Sequence, residues 1–358
     1  MAAALALPGL ALSPAARSEA PPDQALLAFK QLFYRDEQPG NQRMRVSSPA
    51  AYWLVPVKDA YAIEGYATAE TMSGASPYFY STLSGASGQI RDDRRAADLK
   101  GTRYFDGGAV GIGVAASREN DYRSQALRAD ARIASDDQNT TLMLGAGHTE
   151  DRISSTVDPR LREARSTDAL LAGVTQVWSP TVIAQATLTA AASRGYHSDP
   201  YKLFDRRPDE RRLLALQLRI NKYVAAGDGA LHLDVRAFHD DWGVRAGNVE
   251  LNYYQPFGNG WMARPSLRYY TQSAAKFYNN RFPPPDPSAN YSADQRLAAF
   301  GAVSWGMQLS KQVGNDFSLD LAYEEYSQRA NWRGFGSGSP GLETFRARFL
   351  TLGLQKRF

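Results

Sequence analysis

The chain has 358 residues, 43% apolar and 22% charged, with a net charge of +4 and a mean hydropathy of -0.44. No run of about 18 apolar residues, the length a membrane-crossing helix needs, follows the N-terminal segment; the absence of cysteine excludes thiolate metal sites, disulfides and thiol catalysis, and the small, dispersed charge offers no basic face for nucleic acid. Two ordinary soluble domains or one large β-barrel remain, the latter compatible with a hydrophilic average because only every second residue meets lipid.

Residues 1–20 read as a targeting segment and 21–358 as one mature domain. Ala2 to Leu12 is an apolar run broken by Pro8 and Gly9, and Ser18-Glu19-Ala20 fits a small-x-small cleavage site. No Lys or Arg precedes the run, so the signal is atypical or its start truncated. A hydrophobic strand is the alternative, disfavoured by Pro8 and Gly9.

From Ala25 onward a unit repeats: an alternating strand, a short turn, a second strand, then a longer polar connection. The tight turns are Lys58-Asp59, Asp106-Gly107-Gly108, Asp136 to Asn139, Ser179-Pro180-Thr181, Gly227-Asp228-Gly229, Gly258-Asn259-Gly260 and Gly314-Asn315-Asp316. Gly, Asn and Asp tolerate positive φ there, and Pro presets a turn. Longer loops fall near 72–94, 117–124, 150–166, 193–210, 273–294 and 328–344, with shorter connections at 38–42 and 240–243. Short turns alternating with long loops predict an all-β, antiparallel up-and-down transmembrane barrel of about 16 strands, both termini on the short-turn side. Pro49 and Pro56 blur the pattern within 36–60.

Parity assigns the faces. Val110/Ile112/Val114, Leu127/Ala129/Ala131/Ile133, Leu214/Leu216/Leu218 and Leu297/Ala299/Val303/Trp305 read as outward. Arg128/Asp130/Arg132, Gln185/Thr187/Thr189, His232/Asp234/Arg236 and Asp320/Glu324 read as inward. A soluble sandwich also alternates, but these strands run roughly ten to thirteen residues, the length that crosses a bilayer at a tilt. Trp178, Phe257, Trp261, Phe317 and Phe358 beside the short turns suit an aromatic girdle.

The last stretch, Phe345 to Phe358, alternates Leu350, Leu352 and Leu354 with Thr351, Gly353 and Gln355 and ends on an aromatic. It resembles the C-terminal signal of bacterial outer-membrane barrels, which implies recognition of Leu350, Leu352, Leu354 and Phe358 by the barrel-insertion machinery.

Inside the predicted lumen, Arg219, Asp234, Arg236, Glu250, Arg264 and Arg268 lie on consecutive strands and can form cross-strand ion pairs, and Arg128, Asp130, Arg132, Asp320 and Glu324 belong to the same inward charge ladder elsewhere. Glu64, Glu70, Asp98 and Lys100 form a second, more acidic group. Such charges tune passage of charged solutes or hold the shape of a wet wall. For catalysis, His239 with Asp240 and Asp241 is the best water-activating set, yet neighbours on a strand point to opposite faces, so no catalytic residue is assigned. Asp92-Asp93, Asp136-Asp137 and Asp240-Asp241 lack calcium-loop spacing, and neither metal nor cofactor is expected. Aromatic loop residues Tyr78, Tyr80, Tyr196, Tyr201, Phe277 and Tyr278 are expected to pack over the mouth or against a partner.

The segments SGASPYFYS, SGASGQIRDDRRAAD, DYRS, GVTQV, RGYHSDPYKLFDRRP, LRYYTQSAAKFY, YSADQRLAAFGA and SPGLETFRARF together resemble the proteobacterial outer-membrane family catalogued as domain of unknown function 3570. The resemblance spans the mature chain and implies a barrel in the outer membrane of a Gram-negative bacterium, in contact with its lipid and lipopolysaccharide. It brings no substrate, cofactor or catalytic residue. The functional expectation is a passive or weakly selective channel for small hydrophilic solutes. A non-conducting scaffold that docks a periplasmic or surface protein is the alternative, and a membrane-embedded hydrolase the third.

Overall fold

The computed structural model describes residues 20–38, 41–74, 90–202, 204–281, 284, 286 and 288–358. Residues 1–19 of the targeting segment, and Tyr78 and Tyr80, lie outside the described residues. The strands are β1 Leu26–Gln38, β2 Asn41–Val57, β3 Tyr61–Gly74, β4 Ile90–Phe105, β5 Gly108–Arg118, β6 Tyr122–Ala134, β7 Thr140–Ile153 and β8 Glu163–Ser179. They continue as β9 Val182–Gly195, β10 Glu210–Val224, β11 Gly229–Asp240, β12 Arg245–Phe257, β13 Trp261–Gln272, β14 Phe300–Val313, β15 Phe317–Arg329 and β16 Phe345–Arg357. Each pairs antiparallel with its sequence neighbours, and β16 returns to β1, from Leu26↔Arg357 to Glu37↔Arg346, to close the barrel.

The seven short turns fall at the predicted Gly, Asn and Asp positions; Gly107 and Gly314, for example, take φ of 73° and 63°, values that only a residue without a Cβ adopts freely. Pro49 and Pro56 both lie inside β2. The ladder to β3 skips Ser48 and Pro49 between Ser47↔Thr71 and Ala50↔Thr68, and the Thr68 hydroxyl donates to the Pro49 carbonyl at 2.9 Å. A side chain thus supplies the hydrogen bond that the ladder loses at the proline.

The outer face is apolar and exposed, with Ile112 at 65%, Leu170 at 64% and Leu127 at 57%. Trp178, Phe257, Trp261, Phe317 and Phe358 are all exposed at the short-turn end, where rings sit at an apolar–wet boundary. One assignment is corrected. Leu297 and Ala299 are not outward strand residues: Gln295–Leu297 is a 3-10 turn capped by Asp294, and β14 begins only at Phe300. Leu297 packs instead with Trp242, Val244 and Ala275. The reason is that the loop before β14 buries its apolar residues against other loops, so alternation there does not report a lipid face.

The buried apolar groups accordingly gather at the long-loop end. Phe238, Phe277 and Tyr278 pack on the Trp242 cluster, while Ala298, Phe300 and Ala302 pack with Tyr270, Tyr278, Tyr326 and Leu342.

Candidate functional site

The β3–β6 wall carries paired charge, with Lys100 and Arg94 each shared between two carboxylates. Lys100 reaches Asp130 at 2.8 Å and Glu64 at 3.8 Å, and Arg128 donates to Asp98 Oδ1 at 2.6 Å. Lys100–Asp130 and Arg128–Asp98 bridge β4 to β6 across β5, whereas Lys100–Glu64 joins the adjacent strands β4 and β3. Glycines on the inner face of β5 leave the room: a Cβ on Gly111 would lie 2.4 Å from Lys100 Cε, and one on Gly113 would lie 2.8 Å from Arg128 Nε. Higher on the same wall Arg94 pairs with Glu70 at 3.3 Å and Glu119 at 3.5 Å.

The β10–β13 wall is different. Arg219 Nε donates to Asp234 Oδ1 at 2.9 Å, the one expected pair that forms there. Glu250 stands opposite both Asp234 and Arg268 but bonds the Asn252 amide at 3.0 Å. Among the described residues Arg236, Arg264 and Arg268 form no ion pair within 4.0 Å; Arg264 and Arg268 lie over Tyr254 and Tyr270 at 5.7 and 5.9 Å instead. On β15, Asp320 accepts from Ser310 at 2.5 Å, and Glu324 also faces inward.

Register also aligns small side chains at one level. Ala50 pairs with Thr68, Thr68 with Ala96, Ala96 with Ser117 and Ser117 with Ser124. Lys30 and Gly353 continue the row on β1 and β16. These residues line a cavity of about 1120 Å³ along the β1–β7 side of the lumen. Each residue is unremarkable in its own strand; only the pairing register brings them level.

Loops from the other side of the barrel pack over the mouth. The Tyr201 hydroxyl donates to Asp121, on the connection between β5 and β6, and accepts from the Thr156 N–H at 3.1 Å. Arg207 bonds Asp205 at 2.8 Å and Asp294 at 2.9 Å, and Arg296 reaches Asp199 at 3.2 Å. Arg206 and Tyr291 pair as an isolated bridge, and the Gln38 amide of β1 meets Gln295 at 2.9 Å. Asp240, 1% exposed, accepts from Arg211 at 2.6 Å beneath Trp242. Phe277 stacks edge-on against Trp242 at 5.2 Å. Burial, then Asp205 and Asp199, pushes the Tyr196 hydroxyl up to about 12. Tyr196, Tyr201, Phe277 and Tyr278 are therefore parts of one loop assembly.

Sequence spacing missed one pair. His197 Nε2 lies 2.6 Å from Ser193 Oγ, and its Nδ1 lies 2.8 Å from the Gly195 carbonyl. Gly195, at φ 112°, folds the chain back so that residues four apart meet. Burial, with Arg165, Arg211 and Arg207 nearby, holds the His197 pKa below the usual range. The orienting position on Nδ1 is taken by a carbonyl, not a carboxylate. His239 is separated from Asp240 by strand parity, and Asp240 is committed to Arg211. No group of three His, Asp or Glu among the described residues is arranged to hold a metal ion.

Leu350, Leu352 and Leu354 are exposed on the outer face of β16. The Phe358 N–H donates to the Ala25 carbonyl at 3.0 Å, leaving its ring 61% exposed at the short-turn end.

Solved structures share the architecture at low identity. CdiB from Acinetobacter baumannii matches with a TM-score of 0.50 and 9% identity, over 91% of this chain and 60% of that one. A bacterial polysaccharide outer membrane secretin matches at 0.49 and 9%, over 93% and 98%. OccD3 (OpdP) of Pseudomonas aeruginosa matches at 0.48 and 9%, over 96% and 94%. These likenesses concern the fold alone. No curated protein matches the sequence. The family described as protein of unknown function (DUF3570) matches residues 65–164 and 154–346. With its closed barrel of sixteen strands, short turns at one end and packed loops at the other, the chain belongs to that family.

Proposed function

We propose that the protein is a passive channel for small hydrophilic solutes, weakly favouring anions, in the outer membrane of a Gram-negative bacterium. The observation that carries the reading is the level row of small inward residues, Ala50, Thr68, Ala96, Ser117, Ser124 and Gly353, beside an open cavity of about 1120 Å³. A sixteen-strand barrel is too wide for side chains alone to fill. Among the described residues, loops occupy one side of the mouth and small residues line the other. On the β3–β6 wall Arg94, Lys100 and Arg128 are all held in ion pairs, whereas Arg236, Arg264 and Arg268 face the lumen without them, and these three favour anions along the β10–β13 side. The terminal strand from Leu350 to Phe358 is the segment the insertion machinery would read.

The test is conductance of the refolded protein in a planar bilayer. Steady steps with a reversal potential biased toward chloride are expected. A folded, heat-resistant barrel that passes no current overturns the channel. A second reading then takes its place, a non-conducting scaffold for a periplasmic or surface protein. The packing of the described residues of the loops after β9, β13 and β15 into one assembly, with Phe335 left 84% exposed, favours it over catalysis.

A further inference from the structure

Four arginines on the outer face fall on a single line. The registers place Arg95 of β4 opposite Arg118 of β5, Arg118 opposite Arg123 of β6, and Arg123 opposite Arg152 of β7. All four are exposed and share outward parity with Leu99, Val114, Leu127 and Leu144. Like charges directly opposite one another on neighbouring strands destabilise a sheet. On the inner face the chain supplies counter-charges: Arg94, Lys100 and Arg128 on these strands, and Arg165 on the neighbouring β8, each have a carboxylate partner. On the outer row none of the four side chains enters an ion pair or hydrogen bond among the described residues. The nearest outward carboxylate on β7, Glu150, lies 3.7 Å from His148.

The row also has a defined height. Arg95 and Arg118 are the next outward residues beyond Ala97 and Ala116, which follow the exposed Leu99 and Val114. It therefore lies about 13 Å along the strands past the last large apolar row, at roughly 3.3 Å per residue, on the long-loop border of the lipid-facing band. Aliphatic arginine stems cover apolar surface while the guanidinium heads reach the polar side. Four planar donors in line match phosphate oxygens held in one plane, since guanidinium binds phosphate in a bidentate manner. Further down the same face, past Ala97 and Ala116, the exposed Leu99, Val114 and Leu127 match acyl chains attached to those phosphates.

We propose that the row Arg95, Arg118, Arg123 and Arg152 binds the phosphorylated headgroup of an outer-leaflet glycolipid, lipopolysaccharide, with its acyl chains lying on Leu99, Val114 and Leu127. The proposal rests on the outer-membrane reading above. The phosphates supply the ion-pair partners that the flanking outward carboxylates, Asp93 and Glu150, do not provide within 4.0 Å.

The test uses the full chain refolded in zwitterionic detergent and native mass spectrometry of retained lipid. The probes are a lipid A bearing two phosphates, the same lipid without phosphates, and inorganic phosphate. The wild type is expected to retain the phosphorylated lipid and neither of the others. Arg118→Gln with Arg123→Gln is expected to lower retention about tenfold, the effect of losing charge-assisted bonds, whereas Arg212→Gln, outside the row, leaves it unchanged. Thermal unfolding gives a second readout of distinctive sign. Without lipid the double variant unfolds at the same or a higher temperature than the wild type, because repulsion is relieved; phosphorylated lipid raises only the wild type. Equal retention by both proteins, or binding indifferent to the phosphates, overturns the proposal. A heat-resistant barrel that inserts into liposomes yet retains no lipid overturns this inference alone, whereas failure to insert overturns the outer-membrane reading beneath it.

Discussion

Arg207 on the loop after β9 donates to Asp294 on the loop after β13 at 2.9 Å, and Asp294 is 2% exposed. Arg296 Nε adds a second bond to the same carboxylate at 2.9 Å. Burial alone would raise the Asp294 pKa, but Arg296, Lys202 and Arg207 outweigh it and hold the carboxyl far below the usual range. A carboxyl depressed in the native state contributes stability that is fully present above its unfolded value, about 3.9, and is lost as pH falls below it. The protection of residues 288–299 against hydrogen exchange, corrected for the intrinsic pH dependence of amide exchange, is therefore expected to be high and flat above about pH 5 and to fall toward pH 3. Asp294→Asn is expected to exchange quickly at every pH, since removing one partner of a buried pair costs on the order of 3–5 kcal/mol. An acid response that persists in Asp294→Asn would place the switch elsewhere.

Arg264 and Arg268 face the lumen with no carboxylate within 4.0 Å among the described residues. Removing a unit charge near an ion's path changes its energy by about 1 kcal/mol in wet surroundings, roughly a fivefold change in relative occupancy. The reversal potential of Arg264→Gln with Arg268→Gln across a salt gradient is expected to move toward the cation side. Identical selectivity in variant and wild type would show that the path does not pass the β10–β13 wall.

Ser117 and Ser124 sit opposite one another in the small-residue row. Tryptophan at both positions is expected to cut conductance strongly while leaving the heat resistance of the folded barrel unchanged. Full conductance with both rings present would mean that solutes do not cross the β1–β7 side.

Gly301 is held against backbone, not side chain. A Cβ there would lie 1.9 Å from the Trp332 carbonyl oxygen, which also accepts from the Tyr269 hydroxyl at 2.7 Å. Gly301→Ala is expected to lift residues 330–334 from the outer edge of β13 and β14, seen as faster exchange there, while the strand ladder of β14 stays protected. Unchanged exchange in 330–334 would contradict the contact.

Removal of Phe358 deletes one short-turn-end hydrogen bond and an exposed ring beneath Lys356, 4.3 Å from its centroid. In cells, assembly of the truncated chain is expected to slow markedly, whereas refolding in detergent proceeds to the same heat-resistant form. Equal assembly in cells would remove Phe358 from the insertion signal.

The barrel was legible because its two periods are local. Alternation over Leu214 to Ile220 and turn residues such as Gly258-Asn259-Gly260 need no tertiary information. Ion pairing was less legible. Arg128 and Asp98 sit two strands apart, and their meeting depends on Gly113 between them, whose permissive role shows only once the strands are laid side by side. The Ser193–His197 contact was hidden for a different reason, a backward bend at Gly195 that no periodicity announces. Leu297 and Ala299 misled because the alternation of a strand continued into a loop whose apolar residues found other loops to cover them.

The pairing of β1 with β16 joins residues more than three hundred positions apart, from Leu26↔Arg357 onward. Until that seam zips, both flanking strands present unpaired backbone groups, and such edges recruit other chains. The entropy of closing so long a loop is met before any closing contact forms. Assembly is thus all-or-nothing at its last step: fifteen hairpin contacts accumulate locally, and the ring becomes safe from aggregation only when first strand meets last. That makes the interval between synthesis and closure the vulnerable period in this protein's life, and a carrier that shields the two seam strands is the assistance its topology calls for.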